Sequence, residues 1–145
     1  MTLSFKTVGV IGAGTMGAGI AQVAAQAGCT VKLFDAREGA ATTAIGRTSD
    51  TLNALVVKGR QTAEAAAGTI SRLHAAIDLA DFHDCDLVVE AIVEDLGAKQ
   101  ALFKSLESIC GEATILGTNT SSISITAIAN GLARPQNVVE IGRAH

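Results

Sequence analysis

Three cysteines, Cys29, Cys85 and Cys110, are an odd number at wide spacing with no CxxC pair, which excludes a disulfide framework and a zinc site. All three are expected as small core residues, and no metal is expected. Proline occurs once, as Pro135, and there is no repeat, low-complexity run or internal linker. The 11 basic residues are scattered and the net charge is only −3, so the chain has no footprint for nucleic acid or for an anionic membrane surface. No run reaches the ~18 apolar residues of a membrane span. The apolar residues near the N-terminus are broken by glycines and lack a basic leader and a cleavage site. The cytoplasm is the expected location.

What is present is a strongly apolar chain: 48% of the 145 residues are hydrophobic and the mean hydropathy is +0.38, enough for one domain with a well-buried core. Its most informative stretch is VGVIGAGTMGAGIA, residues 8–21. Val8, Val10 and Ile11 read as a buried strand, and glycines follow at Gly12, Gly14 and Gly17, where a strand must turn sharply into a helix. Gly12 permits the turn, Gly14 lets backbone approach a pyrophosphate, and Gly17 lets the helix pack on its strand. With Ala13, Thr15 and Met16 these residues make a cradle of free N–H groups at a positive helix end. A second strand, Thr30 to Phe34, ends on Asp35, 18 residues after Gly17. An acid there accepts hydrogen bonds from both hydroxyls of an adenosine ribose and repels a 2′-phosphate, so the cofactor reads as NAD rather than NADP.

The rest of the chain alternates. A helix from Met16 to Ala27 is stopped by Gly28, and residues 38–59 are helix-compatible with an apolar stripe at Ile45, Leu52, Leu55 and Val56. Thr62 caps a further helix to about Leu73, with Glu64 in its first turn. His74 to Ile77 reads as a short strand, Asp78 to Asp84 as a polar connection, and Asp86 to Val93 as a strand buried on both faces. Asp95 to Ile109 is a helix with Leu102, Phe103 and Leu106 inward. Thr114 to Gly117 is a strand, Asn119 to Ser122 a polar turn, Ile123 to Asn130 a short helix with Ser122 as its cap, and Val138 to Ile141 a final strand. The fold class is α/β, a doubly wound, mostly parallel sheet with a helical-arm insertion after the second strand.

Four stretches, GAGTMGAGIA (12–21), LVVEAIVEDLGAKQALF (87–103), TNTSSISIT (118–126) and ARPQNVV (133–139), resemble the N-terminal NAD-binding Rossmann domain of the 3-hydroxyacyl-CoA dehydrogenases, including 3-hydroxybutyryl-CoA dehydrogenases. The resemblance spans residues 5–139. It implies that Asp35 binds the adenosine ribose, that Glu94 and Lys99 border the cofactor, that Asn119 lies near the nicotinamide, and that Ser121 sits between nicotinamide and substrate, bonding the reacting oxygen. TLNALVVK (51–58) resembles the segment that contacts coenzyme A, which places Thr51 and Lys58 on the acyl-CoA; an exposed lysine complementing a helix end is the plain alternative for Lys58.

One departure stands out. The family pattern continues after ARPQ(x)VV to HFFNP, whose histidine is the catalytic acid/base, and here Gly142 falls at that position. His145 is three residues out of register, and His74 and His83 are expected to be structural or exposed. Residues 1–139 then form the NAD-binding domain and 140–145 a non-family tail, with the family's helical second domain absent from this chain. A full-length relative is implied to be a homodimer. The implied reaction moves hydride between C3 of an (S)-3-hydroxyacyl-CoA and NAD, and the isolated chain is expected to bind NAD(H) without turnover. The alternative is a non-catalytic dinucleotide-binding sensor or interaction module.

Overall fold

The structure is a computed structural model that describes residues 5–119 and 123–141. Thr7–Ile11 (β1) is a short apolar strand, and Thr15–Gln26 (α1) returns along the sheet with only small residues, Gly17, Ala21 and Ala25, on its buried face. Thr30–Phe34 (β2) follows. Ala40–Val57 (α2) buries Ala41, Ala44, Thr48 and Leu52, a three-and-four spacing that puts one stripe against the sheet, and Ala63–Ser71 (α3) completes the arm. The Thr62 side chain caps α3 by accepting from Ala65 N–H, as expected. Leu73–Ala75 (β3), Leu87–Glu90 (β4), Leu96–Ile109 (α4), Ile115–Thr118 (β5), Ile125–Ala129 (α5) and Val138–Glu140 (β6) finish the order.

Every strand pairing is parallel, and the sheet runs β3-β2-β1-β4-β5-β6. The chain builds outward from β1 through β2 and the arm to β3, and then from β4 in the other direction. The switch point therefore lies between β1 and β4, where a parallel sheet opens a crevice at its carboxyl ends. Register lines up those ends: Ile11 pairs with Phe34 and with Glu90, Glu90 with Thr118, and Thr118 with Glu140. One face of the sheet packs Val8, Val10, Val31 and Leu33 against the alanines of α1 and α2. The other packs Val88 and Leu116 against Phe82, Phe103, Leu106 and Ile128.

Several boundaries differ from expectation, each for a local reason. Asp78 to Asp84 is no open connection, because Leu79–Asp84 winds as a 3₁₀ turn. Its polar residues are caps: Asp78 accepts from Ala80 N–H at 2.8 Å and Asp81 from Ile77 N–H at 2.8 Å, while Phe82 between them is fully buried edge-on to Phe34. The third strand is earlier and shorter, since Leu73 is its buried anchor. The strand expected to reach Val93 leaves the sheet after Glu90, and the last strand ends at Glu140. The short helix begins at Ile125 with Ser124 as cap, not Ser122, which lies outside the described residues. Cys85 and Cys110 are core residues as expected, and burial pushes the Cys85 thiol up to about 12 and the Cys110 thiol up as well, so neither is a nucleophile. Cys29 is only half-buried, its thiol donating to the Phe5 carbonyl at the edge of the core.

Phe82 joins the 3₁₀ turn to the sheet, so Phe82→Ala is expected to cost on the order of 3–5 kcal/mol in urea unfolding. A midpoint equal to that of the unaltered chain would show that the turn is not part of the core.

Candidate dinucleotide site

β1 ends at Ile11 and the chain turns at Gly12, whose φ of +106° is a conformation that side-chain-bearing residues rarely adopt. The Gly12 N–H donates to the Phe34 carbonyl at 2.8 Å, which ties the turn to the end of β2. A Cβ on Gly17 would lie 1.7 Å from the Gly12 carbonyl oxygen, so α1 leaves the turn at a distance only glycine allows. At Gly14 the situation is reversed: a Cβ would meet nothing within 4 Å. Gly14 is the N-cap of α1, no side chain caps it, and the first turn holds no acidic residue. Space, a helix N-terminus without a side-chain cap and a first turn without acidic residues are what a diphosphate requires there; the Ala13 N–H, expected to be free, is instead taken by Asp35.

The cradle opens on a cavity of about 740 Å³, bounded by the turn, by Phe34 to Arg37 after β2, and by residues 91–93 after β4. That is ample for a mostly apolar pocket holding a sizeable ligand. Asp35 lies in its wall with a side chain only 10% exposed. Its carboxylate accepts from Ala13 N–H at 2.8 Å and from Arg37 N–H at 2.8 Å, and the Arg37 guanidinium forks onto it through Nε and Nη2, each at 3.1 Å. The guanidinium bonds hold the Asp35 carboxyl at about 2, below its ordinary 3.8, with the Ala13 amide adding to the effect. Arg37 itself is 72% exposed. Solvent therefore reaches the guanidinium, while the Ala13 bond holds the carboxylate from the inner side.

The other charged group was incompletely legible. Glu94 and Lys99, expected as a pair bordering the site, do meet, with Lys99 Nζ 3.2 Å from Glu94 Oε1. Lys99 is 0% exposed, however, and its shorter contact, 2.6 Å, is to Glu90, also 0% exposed. Sequence reasoning passed over Glu90 as part of an apolar strand; the available signal was an acid inside DLVVEAIV with a lysine nine residues later. Asn119, just past β5, donates its N–H to the Glu90 carbonyl at 3.0 Å, so it stands beside this cluster.

The remaining candidates do not all converge. Thr51 is exposed, bonds the Arg47 carbonyl at 3.0 Å, and lines a hollow of about 380 Å³ between α1 and α2 that also takes in Thr15, Gln22, Arg37 and Arg47. Lys58 is exposed at the C-terminal end of α2 and lines neither this hollow nor the cavity. Met16 is exposed on the first turn of α1. His74 and His83 are exposed, as expected. Ser121, Gly142 and His145 lie outside the described residues. Among the described residues no cluster of histidine, cysteine and carboxylates is arranged to hold a metal, and no helix is long and apolar enough to cross a membrane.

A family model described as "3-hydroxyacyl-CoA dehydrogenase, NAD binding domain" matches residues 7–142. The chain belongs to that family. It is 47% identical over 138 residues to a 3-hydroxyadipyl-CoA dehydrogenase of Escherichia coli, covering 95% of this chain and 29% of that protein. A probable 3-hydroxybutyryl-CoA dehydrogenase of Deinococcus radiodurans is also 47% identical, over 131 residues that cover 90% of this chain and 47% of the relative. Among solved structures, a 3-hydroxybutyryl-CoA dehydrogenase from Escherichia coli superposes with a TM-score of 0.92 at 47% identity, over 95% of this chain and 29% of the other. An (S)-3-hydroxybutyryl-CoA dehydrogenase from Ralstonia eutropha gives 0.88 at 34% identity, over 94% and 48%. The chain thus spans about a third to a half of the length of these relatives. NAD is the cofactor this domain family takes, and the residues fit it: an open Gly14, an uncapped helix end and a fixed acid at the end of β2.

Two outcomes follow from this geometry. Gly14→Ala should fold with an unchanged melting temperature and bind NADH more weakly, because its methyl group stands in open cradle space, whereas Gly17→Ala should lose stability outright. Equal effects of the two on stability would refute the close approach of turn and helix. Because folding lowers the Asp35 pKa, its stabilisation is fully present above about 4 and lost as pH falls from 3.8 towards about 2. Urea unfolding across that window should show the unaltered chain losing its advantage over Asp35→Asn; a difference that does not change with pH would contradict the bonding described.

Proposed function

We propose that this chain is the cofactor half of an NAD-dependent 3-hydroxyacyl-CoA dehydrogenase, within which hydride passes between C3 of an (S)-3-hydroxyacyl-CoA and the nicotinamide. The observation that carries the reading is the Asp35 carboxylate, aimed by the Ala13 amide at the mouth of the cradle. NAD, when bound, supplies the hydride acceptor or donor, and the protein supplies position and electrostatics. The turn at Gly12 presents the diphosphate with the backbone N–H groups of Gly14 to Gly17, since the Gly12 and Ala13 amides are already bonded to the Phe34 carbonyl and to Asp35. Asp35 exchanges the Arg37 guanidinium for two ribose hydroxyls, a trade between donor partners that keeps its carboxylate oxygens hydrogen-bonded. Glu94 borders the nicotinamide side with Lys99 behind it, and Asn119 completes that end.

On the substrate side, Ser121 is the catalytic residue this chain contributes, its hydroxyl bonding the reacting oxygen so that C3 faces the nicotinamide. Thr51 and Lys58 take the coenzyme A moiety. The exposure of both supports this, and the guanidinium-bearing residues lining the hollow beside Thr51 suit a phosphate. Proton transfer to and from that oxygen needs a base, and the family pattern's histidine position is Gly142 here. A missing general base costs typically 10²–10⁴ in rate. The chain by itself is therefore a binder of NAD(H) and not a catalyst, with 1–139 as the NAD-binding unit.

Titration with NADH and NADPH, followed by the dinucleotide's own fluorescence, tests the assignment. NADH should bind at least roughly tenfold more tightly, since a 2′-phosphate beside the Asp35 carboxylate meets like charge at close range. Comparable affinities would refute it. On the same preparation acetoacetyl-CoA should give no turnover, and turnover near that of a full-length relative would overturn the inventory of parts.

A further inference from the structure

The ladder that carries β4 stops at Glu90, and the residues that follow, 91–93, become a wall of the cofactor cavity. The first amide of that wall is still tied to the sheet, Ala91 N–H donating to the Ile11 carbonyl at 2.8 Å. The second is not. Ile92 N–H donates instead to the Glu90 carboxylate, at Oε2, 3.0 Å away. The other carboxylate oxygen, Oε1, accepts from Lys99 Nζ at 2.6 Å and from the Thr118 hydroxyl. The main chain of Glu90 also accepts, from Asn119 N–H at 3.0 Å. Glu90, Lys99 and Thr118 are all 0% exposed.

Burying such a pair is no route to stability. The desolvation of two ions about cancels their attraction, and well-packed apolar side chains of similar volume often do as well or better. The surrounding chain, Leu87 to Val89 before and Ala91 to Val93 after, would accept an apolar pair without change of character. An apolar side chain at position 90 would fill the space but offer nothing to the Ile92 amide, and residues 91–93 would lose the bond that fixes their path. We propose that Glu90 is a positioning residue of the cofactor cavity: its buried carboxylate holds the 91–93 wall in one shape, while Lys99 and Thr118 hold the carboxylate. The proposal rests on the dinucleotide reading given above.

Two variants in a common Lys99→Met background isolate the acceptor at position 90 from the ammonium. Glu90→Gln/Lys99→Met keeps an amide oxygen for Ile92; Glu90→Leu/Lys99→Met removes it; neither leaves an uncompensated buried charge. Both should melt close to one another, and the leucine variant should bind NADH roughly tenfold more weakly than the glutamine variant, about the effect of one lost hydrogen bond. Equal affinities, or loss of binding in both, would overturn the proposal by assigning the effect to packing or to Lys99. A second measurement needs no variant: in the unaltered chain without cofactor, the Ile92 amide should be protected from hydrogen exchange although it lies outside any strand, and free exchange would overturn the proposal even if the leucine variant fails to fold. If the unaltered chain does not bind NADH, the dinucleotide reading falls and this inference with it; if it binds and the two variants match, only this inference falls.

Discussion

Helix α1 can leave the first strand at the angle it does only because two backbones touch. A side chain on Gly17 would collide with the Gly12 carbonyl at 1.7 Å, and one on Gly12 would come within 2.5 Å of the Ala91 carbonyl. These contacts bring β1, α1 and the start of the 91–93 segment together at the switch point of the sheet. The N-terminus of α1 then faces the crevice with no side chain among the described residues capping it. Anion binding at this place is thus a by-product of packing density: the glycines that let the elements approach also leave the first amides of the helix bare.

Around that point charge is arranged in two different ways. Asp35 shares its carboxylate between a backbone amide and a mostly exposed guanidinium, an arrangement suited to exchanging one partner for a ligand. Glu90 and Lys99 are shut away from solvent with every short contact made inside the protein. The first can respond to a cofactor, and the second can only shape the wall the cofactor meets. The aligned register of Ile11, Phe34, Glu90 and Thr118 is what sets both groups at the same edge of the sheet.

The alternation of strands and helices, the glycine cradle and Asp35 were all legible in the sequence, because each depends on local pattern: apolar runs, glycine spacing and an acid at a strand end. What escaped depends on tertiary contact. The 3₁₀ turn at Leu79–Asp84 looked like a polar connection because its aspartates serve as caps and its one core residue, Phe82, has no periodic partner nearby. The end of β4 was overshot by three residues because Ala91, Ile92 and Val93 are as apolar as the strand itself, and nothing in their composition marks the departure from the ladder. Glu94 does meet Lys99, but the nearer partner, Glu90, is not marked by sequence because it sits inside an apolar strand nine residues away. The bidentate hold of Arg37 on Asp35 appears only when the turn after β2 is built.

The central claim is that a dinucleotide lies across the switch point between β1 and β4. Amide chemical-shift mapping on a ¹⁵N-labelled chain titrated with NADH tests it most directly. The account places the large shifts at residues 11–17, 35–37 and 91–93, with α3 and the amino ends of the strands unmoved. Shifts concentrated away from the carboxyl edge of β1, β2 and β4 would contradict it.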